Sequence, residues 1–154
     1  MELHPGYAAK GHHLISTTFM RAAFDRNQRR EVQSNAHEIL KQLDSLEEVS
    51  LVGTGMSGAM MLGVIADKCS CSCTLIRKVK GVSHSELAVE GETDFQRYII
   101  VDDIIDSGAT VERIQEEIRG VNPSATLEGI LLYNECEDRF EDYEHRFDCW
   151  VRSI

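Results

Sequence analysis

The segment RYIIVDD, residues 97–103, constrains the fold of this chain more than any other stretch. Its middle residues, YIIV, are all apolar or aromatic, so a strand formed here has no polar face to turn toward water. Such strands lie inside parallel sheets that helices cover on both faces. The segment therefore predicts a central parallel strand, with acidic groups at its carboxyl end.

Strand and helix patterns alternate along the chain from residue 48 onward. This alternation predicts an α/β fold with a central, mostly parallel sheet of about five strands flanked by helices. The other expected strands are EVSLVG, CTLIRK, TLEGILLYN and, in the tail, RFDCWVRSI. We expect one domain over residues 1–154, with an N-terminal hood and helix over 1–47, a core over 48–133 and a C-terminal tail or strand over 134–154.

The helix ahead of the core is predicted over residues 29–46, where apolar side chains recur at helical spacing. Asn27 is its expected N-cap, because an Asn side chain accepts hydrogen bonds from the free N–H groups of a first turn. Two further helices are expected, after the strand EVSLVG and after the acidic segment.

The chain is acidic, with a net charge of −10 over 154 residues. Such a surface repels phosphate backbones, so we do not expect nucleic acid as a partner. No apolar run reaches membrane-spanning length, and the first residues lack the core of a signal peptide. We therefore expect a soluble, cytoplasmic protein.

Three of the five cysteines, Cys69, Cys71 and Cys73, alternate along the sequence. Alternation with period two is typical of one face of a strand, which predicts cysteines that pack beside the strand TLIR. A zinc site is the alternative, but no matching second pair of ligands follows.

The loop after the central strand holds Asp102, Asp103 and Asp106, followed directly by Ser-Gly-Ala-Thr. Ligands of open parallel sheets bind beyond the carboxyl ends of the strands. A small polar turn that opens a helix offers N–H groups and a positive dipole end to an anion. The loop therefore predicts a phosphorylated sugar, with its phosphate in the turn and its hydroxyls on the acids. The alternative is that Asp103 or Asp106 merely caps the helix.

Two other loops leave the same end of the predicted sheet. The first, GTGMSG, matches the G-x-G-x-x-G fingerprint of dinucleotide sites, although the next strand ends in Arg77 and Lys78 instead of an acid. An NADP site or a plain glycine turn would explain it. The second, RKVK, adds Lys80 and predicts a polyanion site or a solvated strand end. The long segment 79–96 that follows is expected to be a functional or mobile loop, with a ribbon in part of it as the alternative.

These motifs together resemble a known family. YIIVDDIIDSGAT resembles the phosphoribosyl-pyrophosphate (PRPP) signature of the type I phosphoribosyltransferases, in which a hydrophobic strand leads through two acids to a phosphate loop. GTGMSG resembles the pyrophosphate loop of that family, and IRKVK resembles its basic strand end. The order and spacing agree from about residue 48 to residue 133.

The resemblance implies that the chain transfers ribose 5-phosphate from PRPP to a nucleobase and releases pyrophosphate, with Mg²⁺ held mainly by the ligand. Asp102 and Asp103 would hold the ribose hydroxyls. The 5-phosphate would lie on Asp106, Ser107, Gly108, Ala109 and Thr110. Pyrophosphate would be bound by Thr54, Gly55, Met56, Ser57, Gly58, Arg77, Lys78 and Lys80. Ser83 and His84 would be candidates for a catalytic loop, and a homodimer would be the assembly.

The nucleobase stays open between two classes. Asp106 occupies the position where 6-oxopurine members carry an aspartate proposed to handle a purine proton, which makes it a candidate acid or base. The longer extra segment precedes the core, and this layout resembles the orotate and adenine members. A PRPP-binding regulatory protein without turnover is the alternative function, and an NADP-binding protein is the less favoured one.

Overall fold

The computed structural model describes residues 2–3, 15–16, 20–77 and 87–154. The strands are β1 Glu2–Leu3, β2 Ile15–Ser16, β3 Val49–Thr54, β4 Ser72–Ile76, β5 Val89–Gly91, β6 Arg97–Asp102, β7 Thr126–Leu132 and β8 Trp150–Ser153. The helices are α1 Arg21–Phe24, α2 Arg26–Leu40, α3 Gly55–Cys69, α4 Ala109–Val121 and α5 Phe140–Phe147, with a 3-10 turn at Glu137–Arg139. Most of the predicted hood, and the candidates Lys78, Lys80, Ser83 and His84, lie outside the described residues.

A six-stranded sheet forms the centre of the molecule, in the order β5-β4-β3-β6-β7-β8. All neighbouring pairs are parallel except β4 and β5, which run antiparallel at one edge. The predicted α/β class is confirmed. The strand beyond the expected five is β5, which lies in the segment predicted as a long loop or partial ribbon and pairs antiparallel with β4.

Helices cover both faces of this sheet, as the apolar central strand requires. Leu51 and Ile99 point into a core shared with α1, α2 and α3. Val52 and Ile100 point into a second core, which α4 and α5 close. Residues 98–102 of β6 are all buried, so the prediction of a central strand is confirmed.

The helix before the core differs from its prediction at both ends. Asp25 is the N-cap, and its carboxylate accepts from the N–H groups of Asn27 at 2.8 Å and Gln28 at 3.1 Å. The predicted cap, Asn27, is wrong because that residue already lies inside the first turn. The helix ends at Leu40, while Leu43 and Leu46 continue the apolar spacing from a turn that packs on the same core.

The alternating cysteines do not share a strand. Cys69 ends α3, Ser70 adopts a left-handed conformation with φ 54°, and β4 begins only at Ser72. The strand-face prediction was therefore wrong, because the period of two runs across a helix end and a turn. Cys69 and Cys71 do pack on the core, and Cys73 is exposed.

The path of the chain creates a crevice at the centre of the sheet. From β3 the chain crosses through α3 to β4 on one side, and from β6 it crosses through α4 to β7 on the other. Adjacent parallel strands whose connections diverge in this way leave a ligand crevice at their carboxyl ends. In the described ranges, no helix combines the length and the apolar character needed to cross a bilayer.

Candidate active site

A cavity of about 270 Å³ lies in this crevice, at the carboxyl ends of β3 and β6. One wall is Ser57, from the start of α3. The rest of the lining comes from the loop after β6, namely Asp102, Asp103, Ile104, Ile105, Asp106, Ser107, Gly108, Thr110 and Val111. The fold thus brings the three predicted acids and the predicted phosphate turn to a single cavity.

Asp102 is the most deeply placed acid of the cavity, with 7% of its surface exposed. Its Oδ1 atom accepts hydrogen bonds from Ser57 Oγ at 3.2 Å and from the Asp103 N–H at 2.9 Å. Burial, reinforced by the neighbouring Asp103 carboxyl, raises the pKa of Asp102 to about 7. A ligand that donates hydrogen bonds or carries positive charge would stabilise the ionised form of this carboxyl.

Asp103 is half-buried beside it, and its Oδ1 atom accepts from the Ile104 N–H at 3.0 Å. The end of the next strand fixes both acids, because the backbone of Tyr133 donates to Asp102 and that of Asn134 donates to Asp103. The Tyr133 hydroxyl also donates to the Ser57 carbonyl at 3.0 Å, and burial raises the pKa of this phenol. Tyr133, which the sequence did not single out, therefore ties the α3 turn to the acids.

The turn that follows has the backbone of an anion site. Gly108 adopts φ 85° as the N-cap of α4, and Ser107 Oγ accepts from the Ala109 N–H at 3.3 Å. Within residues 20–77 and 87–154, the N–H groups of Ser107, Gly108 and Thr110 have no protein acceptor. These N–H groups, at the positive end of a helix dipole, are the donors that a phosphate needs.

The C-terminal segment braces this turn through four side chains. The Ile105 N–H donates to Glu135 Oε2 at 2.9 Å, and the Tyr143 hydroxyl donates to the Ile105 carbonyl at 2.8 Å. Arg139 and Arg146 donate to the next two carbonyls along the turn. The sequence predicted only a tail or strand here, so helix α5 and its contribution were missed.

On the other side of the crevice, the Thr54 side chain is 1% exposed. Its hydroxyl donates to the Ile76 carbonyl at 2.6 Å and accepts from Arg113 Nη2 at 2.6 Å. The Thr54 hydroxyl therefore has no proton left to donate to pyrophosphate, and the role predicted for Thr54 in pyrophosphate binding stays a prediction. Arg113, which the sequence analysis missed, also donates to the Arg77 carbonyl at 2.7 Å and so joins the ends of β3 and β4.

The glycine turn at the start of α3 packs against the sheet at very short range. A Cβ atom on Gly58 would lie 3.1 Å from the Gly53 Cα and 3.2 Å from the Val101 carbonyl oxygen. This contact brings Ser57 to the acids, whereas the Met56 side chain is 70% exposed. At the end of β4, Arg77 Nη2 pairs with Glu90 Oε2 at 2.6 Å across the β4–β5 pair.

The sequence model of the phosphoribosyl transferase domain matches residues 22–152. This chain belongs to the phosphoribosyltransferase family. No protein of curated function matches it in a direct sequence search. The family match favours the PRPP interpretation of GTGMSG over the NADP alternative.

Solved structures of family members share the fold at low sequence identity. Orotate phosphoribosyltransferase from Francisella tularensis is 14% identical with a TM-score of 0.63, and the alignment covers 84% of this chain and 66% of that one. The Mycobacterium tuberculosis orotate enzyme in complex with PRPP is 16% identical, with a TM-score of 0.68 and coverage of 88% and 77%. Adenine phosphoribosyltransferase from Trypanosoma brucei, in complex with AMP, pyrophosphate and ribose-5-phosphate, is 17% identical, with a TM-score of 0.63 and coverage of 84% and 65%. This chain thus spans about two thirds of the length of the first and third of these relatives.

Proposed function

We propose that this chain transfers the ribose 5-phosphate group of PRPP to a nucleobase and releases pyrophosphate. The observation that carries the proposal is the cavity in which a buried and a half-buried carboxyl adjoin a turn whose Ser107, Gly108 and Thr110 N–H groups have no acceptor among the described residues. Vicinal sugar hydroxyls are donors that suit the first, and a phosphate is an acceptor that suits the second. A phosphoribosyl group carries both within one molecule.

The residue roles follow from this match of donors and acceptors. Asp102 and Asp103 hold the ribose hydroxyls, and the turn from Asp106 to Thr110 holds the 5-phosphate. The backbone of the turn 55–58 and the guanidinium of Arg77 face pyrophosphate, with Lys78 and Lys80 as further candidates. Arg77 would share its charge between Glu90 and the ligand. The carboxylates also stabilise the positive charge that develops on the ribose as its bond to pyrophosphate breaks.

Mg²⁺ is part of the proposal as a companion of the ligand. Within the described part of the chain, no group of three or more His, Cys, Asp or Glu side chains could hold a metal ion. Mg²⁺ is commonly bound by one or two carboxylates together with phosphate oxygens and water, and Asp102 and Asp103 supply such a pair. Bound there, the ion would neutralise charge on the leaving pyrophosphate.

Two features of the chain bear on which base accepts the ribose, and they favour different classes of enzyme. Asp106 is exposed at the cavity, and its carboxyl has no hydrogen-bond partner within residues 20–77 and 87–154, so it can meet a purine proton. The extra segment ahead of the core resembles the layout of the orotate and adenine enzymes. We propose orotate and the purines as the first bases to assay.

Pyrophosphate release tests the proposal. The protein is incubated with PRPP and Mg²⁺ and with orotate, uracil, adenine, guanine, hypoxanthine or xanthine in turn. We expect release with at least one base and none with Mg²⁺ omitted. PRPP binding without release from any base would identify the regulatory alternative, and absence of PRPP binding would refute both.

We also propose a homodimer acting in the cytoplasm, supported by the resemblance to the family. Sedimentation velocity at micromolar concentration measures the assembly. Cell fractionation measures the location. A monomer at all concentrations, or recovery of the chain with membranes, would contradict this part of the proposal.

A further inference from the structure

Two arginines of the C-terminal segment bind consecutive carbonyl groups of the phosphate turn. Arg139 Nη2 donates to the Asp106 carbonyl at 3.3 Å, and Arg146 Nη1 donates to the Ser107 carbonyl at 2.7 Å. Neither arginine is among the residues that line the cavity. The contacts thus act on the backbone that carries the open N–H groups.

The planar trans peptide converts each carbonyl contact into an orientation of the following N–H group. In such a peptide the C=O and N–H bonds point in opposite directions. The bond to Asp106 therefore turns the Ser107 N–H away from Arg139, and the bond to Ser107 turns the Gly108 N–H away from Arg146. A cation on the carbonyl also polarises the peptide and makes its N–H a stronger donor.

The guanidinium of Arg146 is itself held in place. Its Nη2 atom pairs with Glu112 Oε1 at 2.6 Å, on the first turn of α4, and its Cζ atom lies 5.0 Å from the centre of the Phe147 ring. A Cβ atom on Gly108 would lie 2.6 Å from Arg146 Nη1. The glycine at 108 therefore admits the guanidinium as well as the positive φ angle.

We propose that Arg146, with Arg139 in support, is a positioning residue for the 5-phosphate turn. Arg146 fixes the peptide that carries the Gly108 N–H, and Arg139 fixes the peptide that carries the Ser107 N–H, so that both N–H groups are directed toward the cavity before the ligand arrives. Donors held in advance need no reorganisation on binding, which increases affinity and charge stabilisation. This inference rests on the proposed function, since the ligand is the phosphate monoester of the phosphoribosyl group.

The test compares Arg146→Met with Arg152→Met by calorimetry. Arg152 is the matched control, because it also pairs with a glutamate at 2.6 Å and its side chain is 53% exposed, against 45% for Arg146. With ribose 5-phosphate as the probe, we expect Arg146→Met to raise Kd about tenfold and Arg152→Met to leave it unchanged. With pyrophosphate as the probe, neither variant should change Kd.

Two more variants separate positioning from charge alone. Arg146→Lys keeps the positive charge but cannot bridge the Ser107 carbonyl and Glu112 as a planar fork does. Glu112→Gln removes a negative charge near the phosphate but weakens the hold on Arg146. Positioning predicts that both variants weaken ribose 5-phosphate binding. A role through charge alone predicts that Lys retains the affinity and that Gln increases it, which would overturn the inference.

The ligand-free protein gives an independent readout. The NMR shift of the Gly108 amide should change in Arg146→Met and stay constant in Arg152→Met. If the wild-type protein binds ribose 5-phosphate and Arg146→Met binds it equally well, the inference fails while the proposed function stands. If the wild-type protein does not bind ribose 5-phosphate, the proposed function itself fails. Arg139→Met, with a smaller expected loss because its bond is longer, replaces Arg146→Met if the latter does not fold.

Discussion

The two sides of the crevice use their polar groups in opposite ways. On the β6 side, the carbonyls of Asp106 and Ser107 accept from the C-terminal segment, and the N–H groups of Ser107, Gly108 and Thr110 have no acceptor within residues 20–77 and 87–154. On the β3 side, the Thr54 hydroxyl is hydrogen-bonded to the Ile76 carbonyl and to the Arg113 side chain, and Arg77 is paired with Glu90. The β6 side therefore presents backbone donors of the kind that an anion needs, while on the β3 side Arg113 joins the ends of β3 and β4.

This difference implies that substitutions on the two sides will be detected by different measurements. Changes on the β6 side should act on ligand affinity and turnover. Changes on the β3 side should act first on stability, because its contacts are within the protein. Four predictions follow this distinction.

The largest effect is expected from Asp103→Asn, which removes a carboxylate from the cavity and keeps the side-chain oxygen that accepts from Ile104. We expect turnover to fall by roughly 10²–10³-fold, the range for removal of one group that stabilises developing charge. Asp67→Asn, on the exposed outer face of α3, is the control and should keep full turnover. Initial rates of pyrophosphate release measure both, and a loss below threefold for Asp103→Asn would contradict the role of the acid.

Gly108→Ala should weaken both the fold and the β6 side of the site. The new Cβ meets a left-handed φ of 85° and the Arg146 guanidinium, so we expect a loss of roughly 1–3 kcal/mol in the free energy of unfolding. Gly120→Ala is the matched control inside α4, where nothing lies within 4 Å of the added Cβ, and it should stabilise by about 0.5–1 kcal/mol. Denaturant unfolding measures the free energy of unfolding of the two variants. Equal effects would mean that the conformation of the turn is unimportant.

Thr54→Val tests the β3 side. It leaves the Ile76 carbonyl and one Arg113 donor without their partner, and the expected loss is about 1–2 kcal/mol of stability. Thr54→Ser keeps the hydroxyl and should lose less. We expect the affinity for ribose 5-phosphate to be unchanged in both variants. A large loss of that affinity with unchanged stability would reverse the comparison between the two sides.

The smallest expected effect is the pH dependence that Asp102 gives to stability. Its pKa is about 7 in the folded protein against 3.8 for the ordinary side chain, so the folded state holds a proton that the unfolded state has lost between these values. Stability from this group therefore falls as pH rises from about 4 to about 7. Asp102→Asn should remove this slope and raise the unfolding midpoint at about pH 8 by roughly 2–5 °C, although turnover is lost. A midpoint at that pH equal to or below the wild-type value would contradict the raised pKa.

The β6 side of the site was predictable because the residues that form it are contiguous in sequence. One run of residues, 97–110, contains the buried strand, the acids, the glycine and the start of the helix, so local rules apply to all of it. The division of strands and helices over residues 48–133, apart from β5, was predictable for the same reason, since each apolar segment carries its own period.

The remaining parts of the site depend on contacts between distant positions. Arg113 has an ordinary position on α4, and only the packing of that helix against the ends of β3 and β4 gives it a role. Arg146 likewise gains its role only because α5 packs against the turn. Strand β5 is too short to show a pattern and exists through its pairing with β4. Thr54 belongs to a glycine-rich motif whose polar groups are expected to face a ligand. That its hydroxyl instead bonds the Ile76 carbonyl depends on the neighbouring strand β4, which the motif does not specify.

The central claim is that the turn after β6 receives the ribose 5-phosphate through its open N–H groups. Titration of the protein with ribose 5-phosphate, followed through the NMR shifts of every backbone amide, tests this claim directly. We predict that the largest saturable changes fall on Ser107, Gly108 and Thr110, with smaller changes at Asp103. Saturable changes centred elsewhere, for example at the second cavity that Arg26 and Arg30 of α2 line, or no change in the turn at saturating ligand, would contradict it.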